Sequence, residues 1–320
     1  MTPRARRDKG AERVTVALLF PGQGSQKVGM GAALAREFPD AAETFLEADD
    51  LLGFSLSRLM WEGPESELAL TRNAQPAILV HSVAALRAGG ERLVGARMAA
   101  GHSLGEFSAH VAAGTLRFAD ALSAVRLRGT LMFEAGERRP GTMAAVLGME
   151  DEAAELLCRE VSDPPMSVVV TANYNAPGQI VISGDVEAVG RAAAEAPSRG
   201  AKRVVPLSVS GAFHSPLMGP AEEGLRAHLA SINFGRLSFP VYSNVAAEPV
   251  SEGETARELL VRQLTAPVRW SRSVERMVAA GATQFIEVGP GQVLARLNKR
   301  IAKGIPTVSF GEPDDLAALG

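Results

Sequence analysis

The chain has 320 residues, of which 46% are hydrophobic and 22% charged, with a formal net charge of −3. That length suits about two domains, or one domain with a large insert, and supports a core that needs no disulfide or metal staple. The weak negative charge argues against bulk nucleic-acid binding while leaving room for a local basic patch, and a single cysteine, Cys158, rules out a disulfide framework and is expected as a small core residue.

Residues 1–12 are basic and read as a solvated tail. Val14–Phe20 (VTVALLF) is short, apolar and stopped by Pro21-Gly22, which predicts a buried strand. It is at the short limit for a secretory signal and lacks the small-residue cleavage site. No segment approaches the ~20 apolar residues of a membrane helix, so a cytoplasmic location is expected, with no membrane contact. A mostly helical region follows to about residue 92, its clearest helix running from Pro76 to Arg87 with the proline near the first turn. Arg97–Gly101 predicts a second strand, Leu104–Ala113 a helix directly after it, and Asp120–Ala135 another helix.

The pattern then changes. Residues 142–148, 167–171, 179–183 and 202–207 read as strands, with helices at 151–161 and 185–196. That β-α-β-β-α-β order is that of a ferredoxin-like unit. Beyond Phe213 come a helix, a strand at Phe239–Ser243, two helices, a strand at Thr283–Val288 and a helix at Gln292–Lys303. Strands alternating with helices predict an α/β fold with a parallel sheet. The expected organisation is an α/β body of residues 13–138 and 209–312, a ferredoxin-like insert at 139–208, and a short tail at 313–320.

Gly101-His102-Ser103-Leu104-Gly105 fits G-x-S-x-G between a predicted strand and a predicted helix, the context of a nucleophile elbow. Ser103-x-x-Glu106 equally fits a helix capping box, so the pentapeptide alone leaves both readings open. A serine nucleophile needs a base. His81 and His110 lie in apolar helices, His102 should point away from its neighbour at a sharp turn, and His228 sits among polar residues. His214 lies in the loop GAFHSP just before a helix and is the leading candidate. Arg128 falls on the apolar stripe Leu122, Val125, Gly129, Met132 of its helix, with Arg126 on the opposite face. An inward arginine needs either a protein carboxylate or a substrate carboxylate. The loop after the first strand, Pro21 to Gln26, has neither dinucleotide nor phosphate-loop spacing, but in a parallel sheet it could bring a backbone donor beside Ser103.

The stretches FPGQGSQ (20–26), GHSLGEFSAHVAAG (101–114), VRLRGTLM (125–132), NYNAPGQIVISG (173–184), GAFHSPLM (211–218), VYSN (241–244), VRQL (261–264), PVRW (267–270) and EVGPG (287–291) occur in this order. Together, over about residues 14–312, they resemble the malonyl-CoA:acyl carrier protein transacylases and the related acyltransferase domains of polyketide synthases. The resemblance implies an α/β-hydrolase-like body with a ferredoxin-like insert. It implies Ser103 as nucleophile, His214 as base, and the main-chain carbonyl of Gln263 as the group that orients the histidine. It further implies Gln23 and Leu104 as backbone oxyanion donors, Arg128 as the grip on the malonyl carboxylate, and Asn244 in a supporting role. Phe213, directly before the histidine, goes with malonyl rather than methylmalonyl in that family; on the residues alone it is equally a core side chain. The implied reaction moves malonyl from malonyl-CoA to an acyl carrier protein for fatty acid or polyketide synthesis. It needs no metal or redox cofactor, coenzyme A entering as part of a substrate. The carrier would be an acidic, transient partner, with Lys202, Arg203, Lys299, Arg300 and Lys303 as candidate contacts or ordinary solvated charges. A monomer is expected. A serine hydrolase and a non-catalytic carrier-binding module are the rival readings.

Overall fold

A computed structural model describes residues 14–319; the basic tail of residues 1–12 lies outside them. Two sheets organise the chain. The strands in chain order are β1 (Val16–Phe20), β2 (Ala96–Gly101), β3 (Gly141–Leu147), β4 (Val169–Ala176), β5 (Gln179–Asp185), β6 (Arg203–Pro206), β7 (Val241–Tyr242), β8 (Pro249–Val250), β9 (Gln284–Val288) and β10 (Thr307–Phe310). The first sheet has the order β10-β9-β1-β2-β7-β8 and is parallel except for its edge pair β7/β8. The second, β4-β5-β3-β6, is antiparallel throughout.

The central strand β1 shows why the parallel sheet reads as an unbroken apolar run. Leu18 and Phe20 join the larger core with the helices Thr71–Gly89 and Phe118–Arg138, while Ala17 and Leu19 point to the other face, against Trp270, Met277 and Phe285. Period-two alternation thus feeds two cores, because both faces are covered. The antiparallel sheet has a third core of its own, built from Val146, Leu157, Ile180, Ile182 and Val189. Cys158 belongs to it; burial pushes its thiol up to about 12, as befits an inert packing residue.

Backbone hydrogen bonds tie the antiparallel sheet to the body. Tyr174 N–H donates to Val268 O at 2.9 Å and Val268 N–H to Ala172 O at 2.8 Å, so β4 forms a short parallel bridge to the segment before Trp270. Two expectations need correction. Residues Pro313–Leu319, expected as a tail, form a 3-10 helix. The helix expected from Pro76 begins at Thr71, with Pro76 inside it. The carbonyl that an N–H at Pro76 would have served is that of Arg72, and Arg126 Nη1 donates to it at 2.5 Å. A side chain on the neighbouring helix therefore absorbs the proline's missing donor.

Candidate active site

The loops that follow β1, β2 and β7 carry Gln23, Ser103 and Asn244 to one edge of the parallel sheet. The register Phe20↔Gly101 and Ala100↔Tyr242 ends these strands side by side. The turn at Ser103 depends on its glycines. A Cβ on Gly101 would stand 1.9 Å from the Gly105 backbone, and one on Gly105 would stand 2.1 Å from Phe20 O. Strand, turn and helix pass too closely for any side chain there. Ser103 itself has φ 51°, the left-handed region that non-glycine residues rarely adopt, and His214 has φ 57°. Ser103 caps no helix: the helix Gly105–Ala112 begins without a side-chain cap. Glu106 reaches away to Gln263 and Asn244, so the capping-box alternative is not what forms.

Ser103 Oγ lies 2.7 Å from His214 Nε2. His214 Nδ1 lies 2.8 Å from the main-chain carbonyl of Gln263, an acceptor, so Nδ1 carries the proton and Nε2 is free to accept from the serine. Burial, and after it the Arg128 charge, lowers the imidazole to about 3, which keeps it neutral and basic in form at neutral pH. Among the described residues no acid hydrogen-bonds to this pair.

Arg128 is 1% exposed, and its hydrogen-bond acceptors are neutral oxygens. Nη2 donates to Ser103 Oγ at 3.0 Å and to Gln263 Oε1 at 2.9 Å, and Nη1 donates to Gln75 Oε1. Among the described residues its Nε has no hydrogen-bond partner. Burial lowers the guanidinium to about 10, still charged at neutral pH, and the charge on Glu106 opposes that fall. A buried cation held by uncharged groups beside a nucleophile is poised for an external anion.

A cavity of about 360 Å³ opens over these groups, between the two sheets. Gln23, Ser103, Leu104, Arg128, Phe213 and His214 line it from one side, and Met143, Asn173, Asn175 and Val181 from the antiparallel sheet. Asn244 and Gln263 stand behind: Asn244 Oδ1 accepts from Ser103 N–H at 2.7 Å, and Gln263 Nε2 donates to Ser103 O at 3.0 Å. Gln23 enters a second chain as well, its Oε1 accepting from Thr71 Oγ1, which accepts from Gln75 Nε2.

The other histidines fall elsewhere. His81 and His110 are buried packing residues. His102 turns from the serine toward Asn175 Oδ1 and Trp270. His228, expected among solvated groups, is half-buried and meets Ser123 Oγ.

Sequence reasoning missed three members of the network: Gln75, Asn175 and Glu106. Gln75 was hidden because the turn before Pro76 reads as a helix boundary. Asn175 was hidden because β4 runs on to Ala176, held by its pairing with β5 rather than by local pattern. Glu106 did leave a signal: it is the sole Asp, Glu, Lys or Arg from Ser103 to Leu116.

The acyl transferase domain family matches residues 17–309. The malonyl CoA-acyl carrier protein transacylase of Bacillus subtilis is 46% identical over 94% of this chain and 95% of its own length; that of Escherichia coli is 45% identical over 94% and 97%. Among solved structures, a type II PKS acyl-carrier protein in complex with its malonyl-transacylase matches with 43% identity and a TM-score of 0.91, covering 95% of this chain and 98% of that one. An acyl carrier protein S-malonyltransferase from Vibrio cholerae matches with 41% identity and a TM-score of 0.90, covering 96% and 100%. With its serine, histidine and buried arginine meeting on the wall of one cavity, the chain belongs to the malonyl CoA-acyl carrier protein transacylase family of acyl transferases.

Proposed function

We propose that this protein transfers malonyl from malonyl-CoA to the phosphopantetheine thiol of an acyl carrier protein, through a malonyl ester on Ser103. The observation that carries the reading is that Ser103 Oγ lies within hydrogen-bond reach of both His214 Nε2 and Arg128 Nη2. In malonyl the carboxylate is one methylene from the thioester carbonyl. A cation placed about 3 Å from the attacking oxygen therefore suits a donor whose charge lies that close to its reacting carbon.

In the first half-reaction His214 Nε2 takes the Ser103 proton as Oγ adds to the thioester carbonyl, and the carbonyl of Gln263 stabilises the imidazolium through Nδ1–H. The backbone N–H groups of Gln23 and Leu104 receive the oxyanion; among the described residues neither donates to a protein acceptor. One such donor is typically worth ~3 kcal/mol of barrier. Collapse of the tetrahedral adduct breaks the C–S bond, and the imidazolium returns its proton to the departing thiolate of coenzyme A. In the second half-reaction the carrier's thiol attacks the ester carbonyl, His214 takes the thiol proton, and Ser103 leaves with it. Arg128 holds the malonyl carboxylate throughout, and the scheme calls for no metal or redox group. Phe213 closes the space beside the carbon that bears the methyl in methylmalonyl. The body is of the α/β-hydrolase-like type and the segment 139–208 a ferredoxin-like insert, with β4-β5-β3-β6 in that unit's order. The test is malonyl-CoA with a phosphopantetheinylated carrier, read by the mass of the carrier. The wild type should convert the carrier and Ser103→Ala should not; conversion by the alanine variant would end the assignment of the nucleophile.

A further inference from the structure

We propose that Glu106 is a positioning residue for the transfer: by accepting hydrogen bonds from the Gln263 side-chain amide and the Asn244 main-chain N–H it aims Gln263 at Arg128 and holds Asn244 against the Ser103 turn. The inference rests on the reading of Ser103 as the acylated residue and Arg128 as the holder of the malonyl carboxylate. Glu106 is 1% exposed and does not line the cavity, so it acts through its neighbours.

The orientation of the Gln263 amide is the central point. Nε2 donates to Glu106 Oε2 at 2.6 Å and to Ser103 O at 3.0 Å, which leaves Oε1 facing Arg128 Nη2 at 2.9 Å. With Oε2 as the acceptor toward Gln263, Glu106 selects this orientation of an otherwise ambiguous group. Reversed, the amide would press N–H donors against the guanidinium and an oxygen against the carboxylate. The same Glu106 Oε2 accepts from Asn244 N–H at 3.1 Å. Asn244 then spans the elbow, with Oδ1 on Ser103 N–H and Nδ2 on Gly101 O, each at 2.7 Å. One buried oxygen thus fixes the acceptor that aims the arginine and the residue that holds the nucleophile's turn. Burial pushes the Glu106 carboxyl up to about 7; the bonds from Asn244 and Gln263 and the Arg128 charge work against that rise. A group held at such cost inside an apolar helix start has few reasons to be there apart from its two acceptor bonds.

The experiment compares wild type, Glu106→Ala and Glu106→Gln for acylation of Ser103 by malonyl-CoA and by acetyl-CoA, and reads the ratio of the two kcat/KM values. That ratio does not depend on what fraction of a variant folds. Losing the hold on Asn244 slows both donors and cancels; losing the aim of Arg128 affects malonyl alone. In Glu106→Ala the malonyl-to-acetyl ratio should fall at least ~10-fold. In Glu106→Gln, whose amide oxygen can take the place of Oε2, it should stay within ~3-fold of wild type. An unchanged ratio in Glu106→Ala overturns the proposal. An equal fall in both variants also overturns it, because the charge rather than the aim would then be responsible. A wild type that forms no adduct overturns the Ser103 reading itself, and this inference with it.

Discussion

Three side chains divide the work at Ser103, and each can be removed separately. His214→Ala should slow both half-reactions ~100-fold or more, because general-base catalysis is typically worth that much; equal rates in stopped-flow acylation would contradict the base assignment. Arg128 makes its contribution only when the donor carries a carboxylate. Hydrogen bonds to charged groups are worth about 1.5–3 kcal/mol each, so Arg128→Ala should cut malonyl transfer on the order of 100-fold while leaving acetyl transfer far less affected. The wild type should discriminate strongly against acetyl-CoA, since that donor leaves a buried guanidinium unpaired. Equal use of the two donors by wild type would remove Arg128 from the site. Phe213, 6% exposed and on the cavity wall, tests shape instead of charge. Phe213→Ser should raise the methylmalonyl-to-malonyl ratio in competition assays. A lowered melting temperature with an unchanged ratio would mean that the ring only packs.

The turn at Ser103 is held by backbone passing backbone, so its glycines are an element-scale constraint. Gly101→Ala places a methyl where the Gly105 carbonyl already stands, and should cost roughly 3 kcal/mol or more of stability and disrupt acylation. A urea midpoint equal to wild type would show that the turn can relax. The last α-helix, Val293–Ile301, and the residues just after it are where the charge expectation changes. Lys299, Arg300 and Lys303 are all exposed, but Arg300 donates to Gln179 Oε1 at 2.7 Å and to Pro177 O, tying this helix to the β4–β5 turn. Lys299→Glu with Lys303→Glu is therefore the cleaner probe of an acidic carrier. The pair should weaken apparent carrier affinity, more so at low salt, without changing acylation by malonyl-CoA. A carrier response independent of salt would contradict it. The elbow was legible in the sequence because glycine spacing and a strand-to-helix switch are local. What stayed hidden depended on other elements. In the helix Thr71–Gly89 the Arg72 carbonyl is served by Arg126 from the neighbouring helix, and the helical start before Pro76 carries Gln75 to Arg128. β10 is a four-residue edge strand whose pairing with β9, not its own pattern, makes it a strand.

At the scale of the whole molecule, the cavity lies between two sheets that share the larger core through Met143, Ala172 and Val181 and are joined further by the Val268 bridge and the Arg300 contacts. Burying the site also sets the acid response. Burial lowers His81 to about 4, His110 and His214 to about 3, and His102 as well. Below pH 6.5 the unfolded chain binds protons at these histidines that the folded chain does not, so stability falls as pH falls through that range. Glu106, raised to about 7, works in the opposite direction between about pH 4.5 and 7, and Asp151, Glu287 and Glu312, also raised by burial, work in that direction from lower pH; between pH 7.5 and 5.5 the histidines, whose ordinary value is 6.5, carry the change. Each net proton amounts to ~1.4 kcal/mol per pH unit. The urea midpoint should therefore be lower at pH 5.5 than at pH 7.5; a higher midpoint at pH 5.5 would contradict the buried, neutral state of the histidines. The central claim, transfer through a malonyl ester on Ser103, is tested most directly by how that ester partitions. The enzyme is loaded with malonyl-CoA, freed of excess donor, and followed by intact-protein mass spectrometry with and without a phosphopantetheinylated carrier. The account predicts an adduct on Ser103 that persists in buffer and is discharged by the carrier with matching gain of malonyl on the carrier thiol. Rapid release of free malonate into water would make the protein a hydrolase, and no adduct at all would leave it a binding module; either result contradicts the account.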